Sequence, residues 1–313
     1  MKTAVIGAGM AGLSCARLLQ RAGRDVTVFD KGRGLGGRMA TRRAGDGLQF
    51  DHGAQYVTAK DDGFAELLAR AQAAGQAGTW PRGGPQDGKT RYVGVPGMTG
   101  LAKFMAEGLD IRRGHAVTAM RDTGHGAEIE IDGQRLAFDR VVCTAPVPQI
   151  IALLGQDHPL VPAPSRITYD PCLTLMVALD RPFPDLPDHH RAPEADLAWI
   201  AQDGGKPERP EGNCWVAQAS PEWSRRHLEL EKDHIVEAML PLFLDRLRID
   251  PARVIHRAAH RWRYARVTAP LGRPFLASDN NTLYLGGDGF IGPRVEAAYL
   301  SGCAIAREML DTA

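Results

Sequence analysis

The chain has 313 residues, a length that suits roughly two domains of about 150 residues each. Its 38 Lys and Arg stand against 37 Asp and Glu, and a formal net charge of +1 excludes the basic field that nucleic acid or an anionic membrane would need. Hydrophobic residues at 44% and charged residues at 24% exclude a largely disordered chain. Thr3–Ile6 reads as an apolar strand, Met10–Ala22 as a helix with Ala11, Cys15, Leu18, Leu19 and Ala22 at helical spacing, and Val26–Phe29 as a second strand. Helices are predicted over Phe64–Ala74 and Met98–Leu109, and short strands with Gly-containing turns over Ile111–Val142. Strands follow at Cys172–Leu179, Leu197–Ala201 and Cys214–Ala219, a helix at Asp233–Leu247, a strand at Leu283–Leu285 and a last helix at Arg294–Leu310. Residues 75–100 carry eight glycines and residues 159–193 eight prolines, so both read as irregular crossings or loops over a site. Trp223 and His227 read as a solvated helix start.

The charge-free stretches Thr3–Ala16 and Val141–Gln156 are short and broken by Gly or Pro, so no membrane span is expected. Gly7, Gly9 and Gly12 likewise argue against the apolar run of a signal peptide. Five scattered cysteines, with no C-x-x-C pair, fit a reduced cytoplasm. His256 and His260 are the best metal-ligand spacing, but on a strand the rings lie roughly 13 Å apart, so no metal is expected.

Gly7-Ala8-Gly9-Met10-Ala11-Gly12 is G-x-G-x-x-G set between a strand and a helix, with Asp30 ending the next strand. The first glycine allows the tight turn, the second lets backbone N–H groups approach a diphosphate, and the third lets helix and strand pack closely. Asp30 is placed to accept hydrogen bonds from a ribose. The loop Gly32–Met39 carries Arg33 and Arg38, whose guanidinium forks suit phosphate. Far away, Leu283–Asp288 is again a strand ending in Gly-Gly-Asp, followed by the helix that starts near Arg294. These segments predict an α/β fold: a discontinuous Rossmann-like dinucleotide-binding domain over residues 1–58, 98–158 and 270–313, and a substrate domain of mixed β-sheet plus helices over residues 59–97 and 159–269, with the site at their junction.

Those motifs, together with Gly36–Met39, Asp51–Thr58, Trp223–Arg225, His260–Arg266, Gly287-Asp288 and Arg294–Gly302, resemble the flavin-containing amine oxidase superfamily and, within it, the renalase family. The resemblance runs from end to end of the chain, and Gly-Ala-Gln-Tyr-x-Thr and His-Arg-Trp-x-Tyr-Ala are its most specific parts. It implies non-covalent FAD held by Gly7, Gly9, Met10, Ala11, Gly12, Asp30, Lys31, Gly37, Arg38, Gly287, Asp288 and Arg294. It also implies that the backbone of Val117 meets the adenine and that of Val295 the flavin C2 carbonyl. Many relatives place Trp directly after the Gly-Asp pair, where this chain has Gly289-Phe290.

Read with period 2, the segment from His256 puts His256, Ala258, His260, Trp262 and Tyr264 on one face and Arg257, Ala259, Arg261 and Arg263 on the other. The aromatic face is the expected cavity wall, able to stack on a flat heterocycle. Gln55, Tyr56 and Thr58 join it as expected substrate-positioning residues. No Ser-His-Asp pattern, metal cluster or Glu pair marks an acid–base mechanism, and hydride transfer from a dihydropyridine needs none, because its ring nitrogen supports the developing charge. The resemblance implies the matching reaction: the 2- and 6-dihydro isomers of NAD(P)H are oxidised to NAD(P)+, and O2 is reduced to H2O2. Two alternatives stand beside it, an FAD-dependent amine oxidase and a flavin-binding protein without turnover. The first commonly holds a lysine near the flavin, and after Lys103 only Lys206 and Lys232 remain.

Overall fold

Thr3, Ala4, Val5 and Ile6 are all buried, because the strand they form, β1 (Lys2–Ile6), lies between two parallel neighbours in the middle of a six-stranded sheet. The structure, a computed structural model, describes residues 1–81, 88–183, 185–209 and 213–312. From β1 the chain enters α1 (Met10–Arg21) and returns in β2 (Asp25–Asp30). The hairpin β3 (Thr41–Arg43) and β4 (Gln49–Asp51) follows, then α2 (Asp62–Ala73), the pair β5 (Ala77–Thr79) and β6 (Tyr92–Gly94), and α3 (Thr99–Ala106). Next come β7 (Asp110–Arg113), a meander of β8 (Val117–Asp122), β9 (Ala127–Ile131) and β10 (Gln134–Phe138), then β11 (Arg140–Cys143) and α4 (Val147–Leu154). The middle of the chain supplies β12 (Thr168–Leu179), β13 (His189–Arg191), β14 (Leu197–Gln202), β15 (Asn213–Ala219), α5 (Pro221–Arg226), α6 (Lys232–Leu247) and β16 (Val254–Ala269). The chain ends in β17 (Phe275–Ala277), β18 (Leu283–Gly286), α7 (Asp288–Ile291) and α8 (Val295–Asp311).

Six strands form the first sheet in the order β17-β18-β11-β1-β2-β7. All its pairings are parallel except that of the edge strand β17, so the first sheet is the mixed one. Its α1 and α8 meet closely: a Cβ on Gly302 would overlap the Ala11 carbonyl, and Ser14 Oγ donates to Tyr299 O at 3.1 Å. The second sheet, β13-β14-β15-β12-β16, is antiparallel in every pairing. It packs against α6, where Ile235, Val236, Met239, Phe243 and Leu247 fill a core with Leu173, Leu175, Trp215 and Ala259. This is the expected α/β architecture, a Rossmann-like unit accompanied by a second sheet with helices.

Several local expectations change. The glycine-rich stretch 75–100 contains the strands β5 and β6, which pair through Ala77 and Gly94, while its residues 82–87 lie outside the described residues. The proline-rich stretch holds the start of β12, which runs through Pro171 because the ladder with β16 shifts register between Asp170 and Cys172. A bulge tolerates the missing N–H of proline; Pro184, in the same stretch, lies outside the described residues. Trp223 is not solvated. Only 4% exposed, it belongs to the second core and stacks on His227 with ring centroids 3.9 Å apart, because the Ser220 N-cap and Pro221 start α5 inward.

Candidate active site

The glycine motif is built as a crevice. Gly12 has no space for a Cβ, which would overlap the Gly7 carbonyl, whereas nothing lies within 4 Å of a Cβ on Gly9. The N-terminus of α1 carries no side-chain cap, so its amides remain free for an anion. Asp30 sits beside it: Oδ2 accepts from Ala8 N–H and Oδ1 from Gly32 N–H, both at 2.6 Å. A carboxylate offers about four lone-pair positions, so each oxygen retains one for a ribose hydroxyl. Lys31 is turned outward, donating to Gln149 Oε1 at 3.0 Å, and Val117 opens β8 at half-burial. Met10 and Ala11 are buried in the first turn of α1, and Gly37 is exposed at φ 53°.

Arg38 is expected to face a diphosphate, but its fork is held elsewhere. Nη1 donates to Asp288 Oδ2 at 2.8 Å and Nη2 to Oδ1, and Nη1 also reaches the carbonyls of Tyr264 and Ala265 at 3.2 Å. The residue therefore ties the end of β18 to β16 of the second sheet, and its charge is largely balanced by Asp288. That leaves the α1 amides as the first donors for phosphate. Across the crevice Gly287 adopts φ 129°, and its N–H is held by Ser301 Oγ at 2.8 Å. Arg294 caps α8 by position only; its guanidinium donates to Thr58 O and Oγ1 at 3.1 and 3.0 Å and pairs with Glu296 at 2.9 Å. Thr58 is thus joined to the start of α8, where Val295 opens the helix.

The loop Asp51–Gln55 is held by side chains at each carbonyl from 51 to 53. Gln55 Nε2 donates to Asp51 O and Gly53 O, Trp262 Nε1 to His52 O at 2.7 Å, and Gln218 Nε2 to Gly53 O at 2.7 Å. Ala54 N–H reaches Arg38 O at 2.8 Å, and a Cβ on Gly53 would overlap that same carbonyl. His52, 6% exposed, lies flat on Trp262 at 5.2 Å and meets His260 edge-on at 4.7 Å; His260 in turn lies 4.2 Å from Trp262. Trp262 is therefore a buttress for this loop rather than a bare stacking platform. Burial lowers both histidines, to about 4, so they are neutral at physiological pH. The remaining members of the aromatic face divide: His256 stacks on Phe50 at 5.5 Å, and Tyr264 meets Tyr169 at 5.8 Å. Tyr56 packs beside Trp199 at 6.1 Å, with Arg91 over its ring at 5.4 Å, so it stands apart from the histidine–tryptophan cluster.

Beneath this loop lies an ion cluster that the sequence does not announce. Lys206 Nζ reaches Asp51 Oδ2 at 3.2 Å, Gln55 Oε1 at 3.2 Å and Asp203 Oδ1 at 2.5 Å, and Arg209 Nη2 reaches Asp51 Oδ2 at 2.6 Å. Thr41 Oγ1 and Met98 N–H donate to the other oxygen of Asp51. Burial alone raises the Asp51 carboxyl, but Lys206, Arg209 and these hydrogen bonds more than offset it and bring it to about 2. The run Gln202–Arg209 has the composition of a surface turn, which hid the cluster from pattern reading. Among the described residues no group of three or more His, Cys, Asp or Glu is arranged for a metal, and His256 and His260 lie on β16.

Residues 5–71 match the NAD(P)-binding Rossmann-like domain, and residues 80–310 match flavin containing amine oxidoreductase. A 4,4'-diapophytoene desaturase (4,4'-diaponeurosporene-forming) of Staphylococcus aureus is 44% identical over 61 residues, 20% of this chain and 12% of that protein, so the likeness covers a small part of its length. Among solved structures, a protein provisionally named a protoporphyrinogen oxidase from Exiguobacterium sp. 255-15 superposes with a TM-score of 0.77 at 15% identity, covering 100% of this chain and 99% of that one. A triple mutant of putrescine oxidase, redesigned in its cofactor binding, does so with a TM-score of 0.77 at 14% identity and the same coverage. At those identities the likeness establishes the fold. Since the oxidoreductase match alone takes in residues 80–310, the chain belongs to the flavin-containing amine oxidoreductase family, with FAD as its cofactor.

Proposed function

We propose that the protein is a renalase-type oxidase, converting the 2- and 6-dihydro isomers of NAD(P)H to NAD(P)+ with O2 reduced to H2O2. The observation that carries this reading is the neutrality of the cluster beside the loop Asp51–Gln55: His52, His260 and Trp262 pack their rings against one another, and both imidazoles are uncharged. Such rings suit a planar dihydropyridine. When bound, FAD without a covalent link supplies a hydride acceptor at N5 and returns the electrons to O2. In this reading the α1 amides hold the diphosphate and Asp30 the adenosine ribose, while Val117 backs the adenine. Arg38 and Asp288 would close the crevice around the cofactor, and the N–H of Val295 at the helix start would be available to the flavin ring. Gln55, Thr58, His260, Trp262 and Tyr264 would position the substrate directly or by holding the loop beside it, with Tyr56 on the separate wall it shares with Trp199; none acts as an obligatory base, since the donor ring supplies its own electronic push.

The lysine expected of an amine oxidase is accounted for differently. Lys206 is fully buried and bound by two carboxylates and Gln55, which leaves it unavailable to hold a water at the flavin. The five cysteines are free thiols, consistent with the reducing cytoplasm we propose as its setting; among the described residues no helix is long and apolar enough to cross a membrane. Anaerobic mixing of the holoprotein with each donor tests the proposal. The 2- or 6-dihydro isomers should bleach the visible flavin absorbance rapidly, and ordinary NADH and simple amines slowly or not at all. Rapid bleaching by an amine alone would overturn it in favour of amine oxidation, and reduction by none of these donors would favour a flavoprotein without turnover.

A further inference from the structure

Gly289 lacks room for a side chain because of a residue from the other sheet. A Cβ there would overlap the Tyr169 hydroxyl and would sit 3.2 Å from Ile167 Cγ2 and 3.3 Å from Tyr169 Cζ. Tyr169 leaves β12 and reaches the C-terminal ends of β11 and β18, the edge at which parallel α/β sheets bind their ligands. Its oxygen accepts a hydrogen bond from Val147 N–H at 3.4 Å, and its ring is set edge-on to Tyr264 at 64°. A phenol has one proton to donate, and Tyr169 makes no hydrogen bond as a donor among the described residues. Asp288 acts on it electrostatically, yet both oxygens of that carboxylate are held by Arg38. Burial, with Asp288 adding to it, pushes the Tyr169 phenol up to about 12, so the donor proton stays in place at any working pH.

We infer that Tyr169 is a cofactor-binding residue: its hydroxyl, steered by Val147 N–H and Tyr264, donates a hydrogen bond to the ribityl–diphosphate span of FAD. Glycine at position 289 leaves room for this hydroxyl, so that a tyrosine of the second sheet closes this end of the crevice. The inference concerns cofactor retention and does not depend on which donor reduces the flavin.

The test is a titration of apoprotein with FAD, followed by flavin fluorescence, alongside the melting temperature of the apoprotein. Tyr169→Phe should raise the FAD dissociation constant about tenfold, equivalent to ~1.4 kcal/mol, and leave apoprotein melting unchanged. Gly289→Ala should also weaken FAD by displacing the hydroxyl. The double variant should then bind no worse than Tyr169→Phe alone, because without the hydroxyl the new Cβ meets only neighbours at 3.2–3.3 Å. A Tyr169→Phe dissociation constant within about twofold of wild type would mean that the proton serves water only, and fully additive losses in the double variant would mean that Gly289 acts apart from Tyr169. Either result overturns the inference.

Discussion

Lys206→Met keeps the buried alkyl stem and removes one charge from a cluster that balances two carboxylates against two cations. The exposures are 0% for Lys206 and Asp51 and 2% for Asp203 and Arg209, so solvent screens none of these groups effectively. In the variant, Asp51 and Asp203 face Arg209 alone, and Asp203 also loses its partner at 2.5 Å. Removing one member of a buried pair costs about 3–5 kcal/mol. At about 2 °C per kcal/mol for a chain of this size, melting should fall by about 6–10 °C in calorimetry. Burial already raises the Asp203 carboxyl, so it should take up a proton in the variant and the deficit should shrink as pH falls. Asp203→Asn combined with Lys206→Met restores the charge balance and should recover at least half of the lost stability. A loss below about 2 °C, or a double variant no more stable than the single one, would refute the charge-balance reasoning and leave Lys206 a packing role only.

Arg38→Ala strands Asp288 and unties β16 from the end of β18; it should raise the FAD dissociation constant at least about tenfold and yield a protein that loses its yellow colour on gel filtration. Retention of flavin equal to wild type would contradict the role of Arg38 in the crevice. His52 and His260 are lowered from 6.5 to about 4 by burial, with Arg42 adding to both. Between those values the unfolded chain binds more protons than the folded one, so stability should rise with pH through the window and be lost as pH falls from 6.5 toward about 4. Denaturant melts across that range check it, and replacing His52 with Phe should flatten the slope.

Much of this molecule is legible in its residue order because local geometry dictates it. A strand, three glycines with Gly12 against the Gly7 carbonyl, a helix and an acid at the end of the next strand can be met only by one backbone arrangement, and the pattern therefore identifies both the β1-α1-β2 unit and its ligand class. The alternation along His256–Tyr264 likewise shows which side chains share a face. What covers that face is a different matter. That His52 lies on Trp262, that Tyr169 fills the space over Gly289, and that Lys206 and Arg209 neutralise Asp51 all join residues more than a hundred positions apart. Charged residues in a Gly- and Pro-rich turn look solvated until the fold removes the water, and burial and pairing exist only after two distant segments meet. Sequence periodicity sets local backbone and facing, whereas the contacts that tune this site depend on tertiary packing of the two sheets.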